Sequence, residues 1–242
     1  MVLVVIIQSA LIYKIAKSFA SSRIAVIACA LFVIWQPFFD GNQFWIDSLL
    51  PLFLLPAFYF FYKKKWPVVG LLMGLAVIFK QTLVPLALLI SVYILFTQEQ
   101  HRWKSFFGYS LTGVILPLLA LGYFYKIGVL SDFFFWTIKF NLTTYAKEAT
   151  VLPTFGQLAR LILPVTLVFL SLTVHKFSRL AKLSVFWLIF TIIGGITRFE
   201  FIHFLPAIPF FCISIAILIN NWINDKRIIA IGALTLVTLV WI

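Results

Sequence analysis

The chain has 242 residues, 63% of them apolar and only 11% charged, with 19 Lys and Arg against 7 Asp and Glu and a net charge of +12. The apolar excess excludes a soluble domain, and nearly continuous runs such as Val2–Tyr13 and Phe204–Ile219 exclude the short alternating segments of a membrane β-barrel. The basic excess does not point to nucleic acid, because the cations come in twos and threes between apolar runs and form no continuous face.

A helix needs about 20 residues to cross about 30 Å of hydrocarbon. Crossings are predicted at roughly 1–16, 22–38, 46–62, 66–80, 82–98, 105–125, 158–174, 183–197, 203–220 and 227–242. The expected fold is therefore an all-α polytopic bundle of about ten transmembrane helices. It forms a single transmembrane domain over residues 1–242, with an extracytoplasmic loop at about 127–157. The first run, Met1–Ala10, has neither a basic leader nor a small-residue cleavage site, so it reads as a retained span.

Most of the cations sit in short clusters: Lys14, Lys17 and Arg23; Lys63–Lys65; Arg102 and Lys104; Lys176, Arg179 and Lys182; Lys226 and Arg227. Successive clusters leave room for two crossings. Because Lys and Arg stay on the cytoplasmic side, the clusters all face inward and the N-terminus is expected outside. Asp40, Asp47, Asp132, Glu148 and Glu200 then face outward. Acids contribute little to setting topology, so their bias suggests a polar site on the outer face.

Residues 66–97 are too long for one crossing and carry basic clusters at both ends, which predicts a hairpin turning at Lys80-Gln81-Thr82. Each arm is short, so this turn should lie below the outer surface. Non-helical backbone is tolerated there only when it is buried in protein or lines a wet cavity. Gly70 and Gly74 on the first arm have the spacing of a close helix-packing pair. The loop after the sixth span holds Phe133-Phe134-Phe135-Trp136, a run suited to the membrane interface, and then a polar stretch through Glu148. Cys29 and Cys212 fall inside apolar runs and read as small core residues.

Three groups of ionisable residues near the outer boundary are candidates for chemistry. Asp40 and Asp47 flank Asn42 and Gln43 in the second turn, where Asp47 also reads as a helix-heading acid. Lys80 supplies a cation suited to a phosphate, although a snorkelling lysine would look the same in sequence. Arg198, Glu200 and His203 gather within one short segment, where Arg can hold phosphate oxygens and His can add a hydrogen bond. Lys139, Asn141, Tyr145 and Lys147 in the long loop form a further polar group with which a substrate could make contact. No soluble catalytic motif and no zinc spacing is present.

Three segments together resemble the GT-C superfamily of polytopic glycosyltransferases. They are Phe39-Asp40-Gly41-Asn42-Gln43-Phe44-Trp45-Ile46-Asp47, the run from Gly70 to Lys80, and the run from Thr197 to Pro209. The first is similar to the family's outer turn with an acid heading the next helix. The second is similar to its G-L-x-x-G-L-A-x-x-x-K run, and the third to its late R-x-x-x-x-H-x-x-P-x-x-P pattern. The resemblance implies a sugar taken from a polyprenyl-phosphate donor on the outer face, as in dolichyl-phosphate-mannose or aminoarabinose transferases. It implies Asp47 as an acid of the active-site cavity, with Asp40 beside it, and Lys80, Arg198 and His203 facing the donor phosphate. The chain begins at what looks like the family's second helix. That leaves the family's principal catalytic aspartate without a counterpart, through truncation, an alternative start or divergence.

The leading expectation is a multi-pass glycosyltransferase, or a fragment of one, of the plasma or inner membrane. Its partners would be the bilayer, a polyprenyl-phosphate-linked sugar and an acceptor glycan, lipid or protein. A transporter or flippase for a lipid-linked or anionic solute, or a non-catalytic scaffold, are the alternatives. No cofactor is specified, and a divalent metal is left open.

Overall fold

Every regular element among the described residues is helical. The structure, a computed structural model, describes residues 1–39, 41, 43–97, 101–145, 152–193 and 199–225. The expected last crossing at 227–242 lies outside them.

The long helices are α1 (Val2–Phe19), α2 (Ser22–Trp35), α4 (Pro51–Tyr62), α5 (Trp66–Phe79), α6 (Val84–Thr97), α7 (Arg102–Lys126), α9 (Phe155–Ser171), α10 (Ser178–Thr191) and α11 (Ile208–Asn224). Among the described residues two short pieces join them: α3 (Ile46–Leu49) heads α4, and α8 (Leu130–Phe134) follows α7. Local chemistry fixes several starts. Ser21 caps α2 by accepting from the Ile24 N–H at 3.2 Å. Thr154 and Gln157 cap α9 reciprocally, with bonds of 3.2 and 2.9 Å.

Among the described residues three segments are long and apolar enough to cross a membrane: α1, α7 and Ser22–Phe39, which joins α2 to the 3₁₀ turn Gln36–Phe39. The apolar helices Ile46–Tyr62, Trp66–Phe79, Gln81–Thr97 and Ile208–Asn224 are shorter. The segments Phe155–Ser171 and His175–Thr191 meet at 83°, so the seventh and eighth expected crossings do not run antiparallel. Large side chains such as Leu111, Leu118 and Leu119 of α7 stay exposed, as they would against lipid tails.

The core is shared by α4, α10 and α11, where Phe58, Trp187 and Phe210 meet with ring centroids 5.3–5.7 Å apart. On the other flank α5 lies along α7. A Cβ at Gly70 would overlap the Tyr109 carbonyl and the Thr112 hydroxyl, and one at Gly74 the Gly113 carbonyl. The small residues therefore allow backbone approach, as their spacing suggested, but their partner is α7. Helix α6 touches α5 little and is tied to α7, where the Tyr109 hydroxyl donates to the Ala87 carbonyl at 2.8 Å.

The bundle has two chemically different ends. At one end Phe19 of α1 stacks on Tyr62 of α4 at 3.9 Å, Lys63 lies over Phe19, Lys14 over Tyr59 and Arg179 over Tyr62. Arg23 at the start of α2 donates to Asn224 at the end of α11 at this same end. At the other end three helix breaks come together: the 3₁₀ turns Gln36–Phe39, Gln81–Leu83 and Phe201–Phe204.

Candidate functional site

The turn α3 and the breaks at Gln81–Leu83 and Phe201–Phe204 each bring one polar side chain to this end. Asp47 sits in the single turn of α3, and Ser48 closes that turn on itself: its hydroxyl donates to the Trp45 carbonyl at 2.6 Å and accepts from the Trp45 N–H at 3.2 Å. Pro51 then removes the N–H that the Asp47 carbonyl would take, which leaves α3 one backbone bond short where it runs through the helical Leu50 into α4.

Lys80 follows the last residue of α5 in extended conformation, φ −150° and ψ 106°, while its N–H still bonds the Ala76 carbonyl at 2.9 Å. The tight turn after it, closed by Leu83 N–H to the Lys80 carbonyl at 3.1 Å, leads into Pro85 and α6. His203 rides on the 3₁₀ turn before α11. Phe39 braces that turn, with its ring 5.6 Å from Phe201 and 6.3 Å from Phe204.

The three side chains meet. The Lys80 ammonium donates to Asp47 Oδ1. His203 Nδ1 lies 3.5 Å from Asp47 Oδ2 and 3.4 Å from Lys80 Nζ, and its Nε2 lies 3.7 Å from Glu200 Oε2. Positions 47, 80 and 203 are remote in sequence, and their side chains remain 10, 16 and 17% exposed, so the cluster is partly dry yet open to a ligand. The cluster sets an ammonium and an imidazole, both able to donate to an anion, beside the Asp47 and Glu200 carboxylates. Among the described residues no group of three His, Cys, Asp or Glu side chains could hold a metal ion.

An apolar cleft of about 450 Å³ runs between α5, α6 and α7, walled by Met73, Gly74, Val77, Val84, Leu88 and Gly113 among others. Two of its wall residues, Val77 and Val84, lie on the arms that meet at Lys80.

The other expected site residues fall elsewhere. Asp40, Arg198 and Lys147 lie outside the described residues. Lys139 is exposed and lies over the Phe135 ring at 5.9 Å, and the Asn141 amide donates to the Trp136 and Thr137 carbonyls at 3.0 and 2.9 Å. Tyr145 ends the π-helical turn Asn141–Tyr145. The link from this loop to the cluster is instead Gln81, whose amide donates to the Thr137 carbonyl at 3.4 Å. Gln8 of α1 is a residue that sequence reading passed over: it is 1% exposed and donates to the Ser48 carbonyl at 2.6 Å. Its signal was a single amide in an otherwise apolar stretch.

The model of one protein family, described as dolichyl-phosphate-mannose-protein mannosyltransferase, matches residues 1–124, about half of the chain. The match includes Gln8, Asp47 and Lys80. No curated protein and no solved structure matches the chain.

Proposed function

Because the chain belongs to the dolichyl-phosphate-mannose-protein mannosyltransferase family, of GT-C type, we propose that it transfers a sugar from a polyprenyl-phosphate-linked donor. The acceptor would lie on the extracytoplasmic face of the cell or inner membrane. The observation that carries this reading is the meeting of Lys80 and His203 with Asp47 at the end of the bundle opposite the cation-rich one. Basic residues stay on the cytoplasmic side, so that end faces outward, with the N-terminus outside and about ten crossings in all.

The donor's tail occupies the apolar cleft between α5, α6 and α7, and its phosphate reaches Lys80 and His203. Arg198, by its place in the R-x-x-x-x-H pattern, joins them. In the reaction an acceptor hydroxyl attacks the anomeric carbon while the bond from that carbon to the phosphate oxygen breaks. Both electrons of the broken bond go to the phosphate, and the cations stabilise the charge gathering there. The acceptor's proton passes to a carboxylate. Asp47, which pairs with Lys80 and faces His203, and Asp40 are the acids proposed for it.

The test is transfer from a polyprenyl-phospho-sugar by protein in membranes. Lys80→Ala should lower transfer by about 100-fold, the scale of losing a charge-stabilising donor, while expression is retained. Wild-type transfer by this variant would reject Lys80 as a phosphate ligand.

A further inference from the structure

Gln8 has no role in the reaction described above, yet it ties α1 to the site's framework. It lies on the face of α1 that also buries Ile12, Ile15 and Ala16, a face where an aliphatic residue would pack. A buried amide is unfavourable in such surroundings unless it is hydrogen-bonded. Its Nε2 bond to the Ser48 carbonyl, at 2.6 Å between two residues each 1% exposed, meets that need.

The place of the bond matters. The α3 turn that carries Asp47 lacks one tie to α4, because Pro51 has no N–H for the Asp47 carbonyl. The backbone runs on helically through Leu50, with φ −55° and ψ −38°, so the turn stays in line with α4 but is one bond short, and a hold from outside steadies it. Gln8 takes hold one residue from Asp47, from a different helix. Asp47 in turn touches Lys80 with one oxygen and lies 3.5 Å from His203 with the other. A chain of contacts therefore runs from Gln8 through Ser48 and Asp47 to both phosphate-facing groups.

We propose that Gln8 is a positioning residue of the donor site: through the Ser48 carbonyl it fixes the α3 turn, so that Asp47 holds Lys80 and His203 together as one anion receptor. This rests on the reading of that receptor as the donor-phosphate site. Gln8 touches no substrate, and its effect appears as selectivity for the phosphate group.

The test uses the full chain in lipid nanodiscs, titrated with farnesyl phosphate and, separately, with farnesol, each followed by tryptophan fluorescence. Wild type should bind the phosphate at least tenfold more tightly than the alcohol. Gln8→Met keeps the side chain's length but loses the donor, and should reduce that preference at least fivefold. Gln8→His, whose Nε2–H reaches about as far as the glutamine amide, should restore it. Ile12→Ala, on the same buried face, should lower the thermal midpoint and leave the preference intact. An unchanged preference in Gln8→Met, or an equal loss in Ile12→Ala, would overturn the positioning role while leaving the donor site standing. Failure of the wild type to prefer the phosphate would remove the donor site, and the positioning role with it.

Discussion

Lys80 shows how much one residue's setting decides. An ammonium at a helix end can reach the headgroups and do nothing more, and the sequence alone does not separate that from a role in binding. In the structure the side chain turns to Asp47 and His203. Lys80, Asp47 and His203 were legible because a charge in so apolar a chain is conspicuous. Gln8 was not, since a neutral amide leaves no trace in charge patterning. The His203 imidazole faces Asp47 and Lys80 through Nδ1 and Glu200 through Nε2. His203→Ala should therefore lower transfer by about 100-fold. Glu200→Gln keeps the shape and a hydrogen-bonding oxygen, and should lower it less than tenfold. Steady-state rates at saturating acceptor would compare the two, and an inverted order would mean that the imidazole's partner matters more than the imidazole.

Among the elements, the α5–α7 contact is the closest backbone approach at a glycine pair. Gly74→Leu would drive a side chain into the Gly113 carbonyl, whereas a Cβ at Gly122 on the same α7 meets nothing within 4 Å. Overpacking at the first site should destabilise by about 1–3 kcal/mol or more, and Gly122→Leu should leave stability nearly unchanged. Thermal midpoints in detergent would show the difference, and equal midpoints would contradict this packing. The glycine spacing was readable from the sequence, but its partner was not. A periodic pattern reports which face is small, while the choice between α6 and α7 depends on contacts some 40 residues away. The hairpin expected at 66–97 is right in placing a break at Lys80, yet its arms are bridged by α7 more than by each other. The expected pair of crossings at 158–174 and 183–197 appears as two helices at 83°. The backbone breaks at residues 172–174, and the short 3₁₀ turn His175–Phe177 follows before the second helix.

For the molecule as a whole, the notable property is polarity along the bundle. Phe19, Tyr59 and Tyr62 carry the cations at one end, and the cluster of Asp47, Lys80 and His203 occupies the other. Charge placement made this division readable before any coordinates, because Lys and Arg spacing encodes the side on which each turn lies. What it could not encode is that the turns at the cluster end converge laterally, which depends on aromatic packing such as that of Phe39 on Phe201 and Phe204.

The central claim, an outward anion receptor for a lipid phosphate, is tested most directly at Gln81, the exposed neighbour of Lys80. With Cys29 and Cys212 replaced by Ala, Gln81→Cys should react with a membrane-impermeant thiol reagent added from the extracytoplasmic side. A polyprenyl phosphate should slow that reaction several-fold, and the corresponding alcohol should not. Labelling only from the cytoplasmic side, or equal protection by phosphate and alcohol, would contradict the account.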